Sequence, residues 1–438
     1  MGTTYLHPYA GYIYPGSANY YTQNQNPEKI DGGDMKYLRD LAKTVADIAS
    51  DAKYESKKQK WQNHNDLRSN PNCMYICYAE NGWSDLIGDE KIKTASTFWR
   101  AYEWYLLHLI YRHENIDDDF VISNELICFV DYFIENASYG LTTAYSSVPE
   151  TGACVKSPFL NSFSDMNKMV MPSFHINEKT TAARYDALCE VFGDILDIKT
   201  YITGNFAANQ PGILADLCGI EQMMLYMYDE PEFLHELLEF ITLGIMKIFG
   251  EMKRSGYLKS NIGNYYVDSG GNGFSGLLDP IDSFENMWGF GVAQEFSEVS
   301  PEQHYEFGVK YQVRAMELFG INSYGCCEPY TNKFDMLKKY VPKLRRVSVS
   351  SWCDANEAAK NLKNEYILSL KPNPAILLYE NDRQIIKDYI KNLLKDTYGC
   401  TVELFLKDII SLKTREQNFI DSAKIIKESI NEVYEYEI

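Results

Sequence analysis

Apolar residues recur along most of the chain with two alternating periods. From Asp34 to Trp61, Leu38, Leu41, Val45 and Ile48 fall at helical spacing with charges between them, which predicts a covering helix. Cys73-Met-Tyr-Ile-Cys-Tyr78 is a short unbroken apolar run ending in Ala-Glu-Asn-Gly-Trp83, the pattern of a buried strand opening into a loop. A helix over 91–112 and one or two strands over 120–134 follow. The Gly-, Ser- and Thr-rich stretch 139–173 is long for a plain connection and reads as a functional or covering loop. Helices are predicted over 180–193 and 216–255, with a strand over 198–203 between them. Asn261–Val267 reads as a strand running into Asp268-Ser-Gly-Gly-Asn-Gly273, a turn without the lysine and spacing of a nucleotide loop.

The second half is more regular. Strands are predicted over 286–293, 324–327, 346–350, 366–370 and 402–406. A helix over 301–319 starts with Ser300 as cap and Pro301 in the first turn, and further helices are predicted over 335–340, 356–362, 383–395 and 417–434. Strands alternating with helices at this spacing specify parallel pairing through right-handed crossovers. Counting back through the first half gives about eight units, the number that closes a barrel. The expected fold is α/β: a single TIM-type (β/α)8 barrel over 34–438 with an N-terminal helical extension, preceded by an irregular, Tyr-rich arm over 1–33.

In such a barrel the residues just after each strand converge on one mouth. Those positions hold Glu80, Asn81 and Trp83, then Asp268, then Gln294 and Glu295, then Cys326, Cys327 and Glu328, then Trp352 and Asp354, then Lys371 and Asn373, and finally Asp408. Adjacent thiols at a strand end followed by an acid suit a metal site, provided the strand ends or kinks between Cys326 and Cys327, since neighbours on a strand face opposite ways. Cys73 and Cys77, by contrast, read as small buried hydrophobes, and His175, His235 and His304 as structural or surface groups.

Composition narrows the partners. The chain has 438 residues, is 45% hydrophobic and carries a formal net charge of -19, which allows a large core and argues against nucleic acid or anionic membrane as partner. Ten cysteines without framework spacing fit a reducing, cytoplasmic compartment. No apolar run reaches the roughly 18 residues a membrane helix needs, and an export signal is not evident at the start.

Several stretches together resemble the uroporphyrinogen decarboxylase superfamily, closest to its branch of corrinoid-dependent methyltransferases. They are Trp288-Gly-Phe through Glu295, Val299-Ser-Pro-Glu302, Tyr324-Gly-Cys-Cys-Glu-Pro329, Leu344-Arg-Arg-Val-Ser-Val-Ser-Ser-Trp-Cys-Asp354 and Lys371-Pro-Asn-Pro374. Fainter similarity extends back through Asp194 and Asp117 to about Asp34. The resemblance implies the same barrel with its site at the mouth. Decarboxylases of the family open with an arginine-rich motif that clamps carboxylates, whereas 73–83 contains no Arg. Together with the acidic net charge, this disfavours a polycarboxylate substrate.

The methyltransferase branch holds zinc with a His-x-Cys pair and a later cysteine. Tyr324-Gly-Cys326 falls on that pair, so Tyr324 replaces the histidine, and the later cysteine has no clear counterpart, with Asp408 following the strand where one is sought. The expected metal ligands are therefore drawn from Cys326, Cys327, Glu328 and Asp408, and the expected catalytic groups are Glu295, Asp268 and Tyr324. Trp83, Trp288, Trp352 and Asn373 are expected to bind substrate. On this reading zinc activates a small methylated donor, such as a methoxyaromatic, for attack by a cobalamin carried on a separate corrinoid protein. The alternatives are a decarboxylase-like lyase on a smaller acid, or a non-catalytic barrel that binds a small ligand or a corrinoid partner. The leader tyrosines and the family pattern add the expectation of a homodimer.

Overall fold

The period-2 pattern of the second half builds one parallel sheet. A computed structural model describes residues 26–68, 72–141, 144–145, 156–157, 160, 162–202, 206–267 and 270–434. In chain order its parallel strands are β1 (Cys73–Cys77), β2 (Glu125–Phe129), β3 (Asp197–Tyr201), β4 (Ala207–Ala208), β5 (Trp288–Gly291), β6 (Ile321–Tyr324), β7 (Leu344–Val349), β8 (Ile367–Leu370) and β9 (Thr401–Leu406). Seven of them form one sheet in the order β1-β9-β8-β7-β6-β5-β4, every pairing parallel, while among the described residues β2 and β3 pair only with each other. Helices cross between successive strands: Phe334–Tyr340 after β6, Ala355–Leu362 after β7, Arg383–Asp396 after β8 and Glu416–Tyr434 after β9. Each starts where the apolar spacing changes from two to three or four.

The expected ring of eight hydrogen-bonded strands is therefore not what the ladders make among the described residues. The reason lies at the edges. Tyr75 N donates to Asp119 Oδ2 at 2.9 Å and Cys77 N to Asp118 Oδ2 at 2.8 Å, so carboxylates take the N–H groups that a strand beside β1 would have used. At β5, Asn261 bonds both Trp288 N (2.8 Å) and Trp288 O (2.9 Å) through its side-chain amide. The segment 261–267, read as a strand, thus meets the sheet through a side chain and holds only an isolated bridge from Tyr266 to Asn272. Satisfying edge groups with Asp and Asn keeps backbone dipoles paired where strand pairing stops.

The seven-stranded sheet gathers side chains from distant strands on one face. Lys407, just past β9, reaches within 3.6 Å of Cys327, just past β6 and three strands away, so this face is the concave one. Alternation assigns the concave face. Arg346 of β7 meets Glu403 of β9, and Lys371 donates to Ser348 of β7, so Arg346, Ser348, Lys371, Glu403 and, two further along, Phe405 and Lys407 point inward. Val347, Val349, Leu368, Leu370, Val402 and Leu404 point the other way into the main apolar core under the helices.

Toward the N-terminal end of the strands the concave face is closed by buried charge. Arg346 Nε lies 3.1 Å from Glu403 Oε1, its Nη2 donates to Asn65 Oδ1 at 2.9 Å, and its guanidinium stacks 4.8 Å from the Trp288 ring. His64 Nε2 stands 3.4 Å from the other Glu403 oxygen. Burial alone would raise the Glu403 carboxyl, but the Arg346 charge and His64 outweigh it and hold it at about 2. A depressed carboxyl stabilises the fold above its unfolded value of about 4.3, and this contribution is lost as pH falls through that value toward about 2. Urea unfolding measured at neutral pH and again through this acid window tests the pair. Arg346→Met should cost roughly 3–5 kcal/mol at neutral pH by stranding a buried carboxylate, and the gap to wild type should narrow in acid. A variant as stable as wild type at neutral pH would show that the pair holds nothing together.

Candidate functional site

Strand β6 ends at Tyr324, earlier than its apolar run suggests, because the next residue turns the chain. Gly325 has φ +98°, and a Cβ there would meet Ser348 O at 2.3 Å and the Tyr330 ring at 2.5 Å, so the left-handed turn requires glycine. Beyond the turn the strand rule of opposite faces no longer applies, and Cys326 Sγ and Cys327 Sγ lie 3.3 Å apart. Lys407 Nζ approaches both, at 3.7 Å from Cys326 and 3.6 Å from Cys327. Cys326 is buried against Phe290 and Val292, with Cys327, partly exposed, packed on the same cluster.

The two thiols differ in kind. The hydrogen bond shared with Cys326 draws the Cys327 thiol below the usual thiol range, burial opposing and the Lys407 and Lys371 charges assisting. The same contact, joined by burial, pushes Cys326 well above that range. Cys327 is thus the more readily ionised of two sulfurs that share a hydrogen bond. Lys371, almost wholly buried and bonded to Ser348, sits on the same side of the sheet. Beneath Lys407, Phe405 packs in a wall of rings with Tyr78 (6.2 Å between centroids) and Tyr266 (5.3 Å).

The four expected metal ligands do not gather. Glu328 Oε2 accepts from Cys326 N at 2.8 Å, and Oε1 accepts from Ala293 N at 2.9 Å and Tyr330 OH at 2.6 Å, so its carboxylate is committed to holding the chain after β6 to the chain after β5. Asp408, at φ +63°, is exposed and lies 3.3 Å from the Lys407 ammonium. A cation already stands where the thiols would face zinc, and no group of three or more His, Cys, Asp or Glu among the described residues is arranged to hold a metal ion. The donor set does not fit zinc.

The other expected site residues scatter. Tyr324 is fully buried on the helix side of β6, its hydroxyl bonded to His304 (2.9 Å) and Gln312 (2.6 Å), and it takes no part in the mouth. Glu295 lies in the short turn Gln294–Phe296, near enough for its charge to reach Tyr324. Trp83 is buried among His108, Tyr111 and Phe419, between helices. Trp288 fills the far end of the concave face beside Arg346, its indole N–H donating to Gly273 O at 3.0 Å. Trp352 is 83% exposed and encloses nothing. Asn373 caps the helix Pro374–Tyr379 through Ala375 N at 2.9 Å. Asp268 lies outside the described residues.

Sequence reasoning missed Lys407 and gave Lys371 a place on the rim without a role. Both stand directly after an apolar strand, at positions continuing the inward period of Ser369 and Phe405, and that was the available signal. Glu80, at φ +45°, completes the rim: burial raises its carboxyl, the Lys407 charge opposes this, and Oε2 accepts from Ile409 N at 3.1 Å. Two large hollows lie elsewhere. One of about 780 Å³ at the N-terminal ends of β2 and β3 contains Lys199 and Lys259, already paired with Asp197 and Asp282. The other, about 760 Å³, runs between Pro301–Phe307 and Asp335–Tyr340.

No family model and no curated protein matches the chain. Among solved structures, a methyltransferase from Methanosarcina mazei aligns over 86% of this chain and 99% of its own, with 10% sequence identity and a TM-score of 0.48. At that degree of likeness it carries no inference about this chain's fold or reaction. No helix among the described residues is long and apolar enough to cross a membrane.

The thiol asymmetry is measurable. Under limiting iodoacetamide, peptide mapping should find carbamidomethyl on Cys327 first, and the labelling rate should rise with pH along its thiolate fraction. Lys407→Met removes the nearest cation, so the midpoint of that rise should move to higher pH. Equal labelling of both cysteines, or an unmoved midpoint, would contradict the assignment.

Proposed function

We propose that this chain is a group-transfer enzyme that moves a methyl group, with Cys327 as the nucleophile at the mouth of the sheet. The observation that carries the reading is the Lys407 ammonium set against a hydrogen-bonded pair of thiols, one of them partly exposed. A thiolate attacks a saturated carbon in line, displacing the heteroatom on its far side. Negative charge then leaves sulfur and builds on that heteroatom, and a preorganised cation is the group that lowers the energy of such a change. Lys407 keeps the nucleophile ionised, and Lys371, on the same side of the sheet, meets the leaving oxygen or sulfur. The lysines take the role that the resemblance gave to zinc, and no step here needs a metal.

The substrate in this reading is a small methylated compound whose leaving group departs as an anion, a phenolate or thiolate, lying along the apolar cluster of Phe290 and Val292. The eventual acceptor implied by the sequence resemblance is a corrinoid held by a separate protein.

The test incubates the full chain with a methoxyarene, a methyl thioether and a methylamine in turn, and follows mass at Cys327 and release of the demethylated product, with and without cob(I)alamin. A methyl adduct confined to Cys327 is expected. Cys327→Ser should abolish it, and Lys371→Met should slow its formation by on the order of 10²-fold. Product release that persists undiminished in Cys327→Ser would sink the reading.

A further inference from the structure

The proposed transfer needs Cys327 but leaves Cys326 only as a neighbour, although the fold goes to some length to place it. The glycine turn at Gly325 and the grip of Glu328 on Cys326 N set two consecutive thiols on one side, with 3.3 Å between sulfurs. One is buried and the other reachable from outside. We propose that Cys326 and Cys327 form a reversible dithiol–disulfide couple that exchanges with small disulfides, Cys327 attacking and Cys326 resolving. The activity is thiol–disulfide exchange, and the ligand class is a low-molecular-weight disulfide.

The step balances without further reagents. The Cys327 thiolate attacks one sulfur of the small disulfide, that S–S bond breaks, and one thiolate leaves and takes up a proton. Cys326 then gives up its proton and attacks the Cys327 sulfur of the mixed disulfide. A Cys326–Cys327 bond forms and the second small thiol departs. The small disulfide gains two electrons and the protein pair loses them. Lys407, at 3.7 and 3.6 Å from the two sulfurs, stays beside whichever one carries charge.

Chain geometry also says how long such a bond lasts. Adjacent Cα atoms are about 3.8 Å apart across a trans peptide, short of the roughly 4.4–6.8 Å that disulfides usually span. A bond made there is readily reopened by thiols, so the pair is suited to cycling and not to permanent cross-linking. Oxidation would also occupy the Cys327 sulfur and silence methyl transfer. That consequence rests on the function proposed above, whereas the couple itself does not.

The experiment uses the full chain, reduced with dithiothreitol, cleared of reductant and exposed to glutathione disulfide. Intact mass and peptide mapping are read without reference to any methyl donor. Wild type is expected to lose two hydrogens within the peptide that carries Cys326 and Cys327, and to regain them with dithiothreitol. Cys326→Ser is expected to stop at one glutathione on Cys327, and Cys327→Ser to show no change at Cys326. Wild type that stops at the glutathione adduct, or that shows no modification at this pair, overturns the proposal. Because mass alone is read, either result leaves the methyl-transfer reading to its own test.

Discussion

The arrangement at the mouth depends on one buried carboxylate. Glu328 accepts from the backbone of Cys326, from the backbone of Ala293 across the adjacent strand end, and from the Tyr330 hydroxyl. A carboxylate so far from water is stable only when its lone pairs are filled, and filling them ties the chain leaving β6 to the chain leaving β5. Lys333 adds a charge of opposite sign nearby: burial lowers its ammonium to about 8, the Glu328 charge resisting, and it donates to Phe296 O and Ser297 O. The thiols are thus held by a network whose members never touch what the thiols would touch. The rigidity belongs to Glu328, and the proposed reactivity to sulfur and Lys407.

This division explains how a cluster of metal-ligand residue types becomes a site without metal character. Cys-Cys-Glu looks like three donors in sequence, but the Glu328 carboxylate already accepts three hydrogen bonds, from Cys326 N, Ala293 N and the Tyr330 hydroxyl, which hold it in a bracing role. The position opposite the sulfurs is filled by an ammonium instead. A fixed positive charge lowers a thiol's proton affinity as a divalent ion would, more weakly, and without open coordination positions. The chemistry proposed for this site is accordingly nucleophilic attack with charge stabilisation by the lysines.

What the sequence made legible follows from which forces are local. The alternation of β7 to β9 and the helices between them are carried by period and by end signals such as Ser300-Pro301, and they appear where expected. The loop after β6 stands out in the sequence because two thiols and an acid beside a glycine are conspicuous. Edge chemistry was not legible: Asp118, Asp119 and Asn261 replace strand partners from far along the chain, and nothing in their local pattern distinguishes them from loop residues. The tryptophans misled for a related reason. Large aromatic rings at strand ends suit a pocket wall and a packed core equally well, and only tertiary burial separates Trp83 and Trp288 from Trp352.

The lysines carry the further lesson. In an acidic chain a buried ammonium is costly, and the fold bears that cost twice within reach of the same two sulfurs. If Lys371 and Lys407 served only to pack, an apolar residue continuing the period of Phe405 would fill the concave face at lower free energy. Lys407 already faces Asp408 and Glu80 as well as the sulfurs. In either proposed role a thiolate beside these ammonium groups would pass its charge to a leaving heteroatom or to a departing thiol. The concave face therefore reads as two zones, with the Arg346 and Glu403 pair closing one end for stability and the sulfur–lysine cluster at the other end for reactivity.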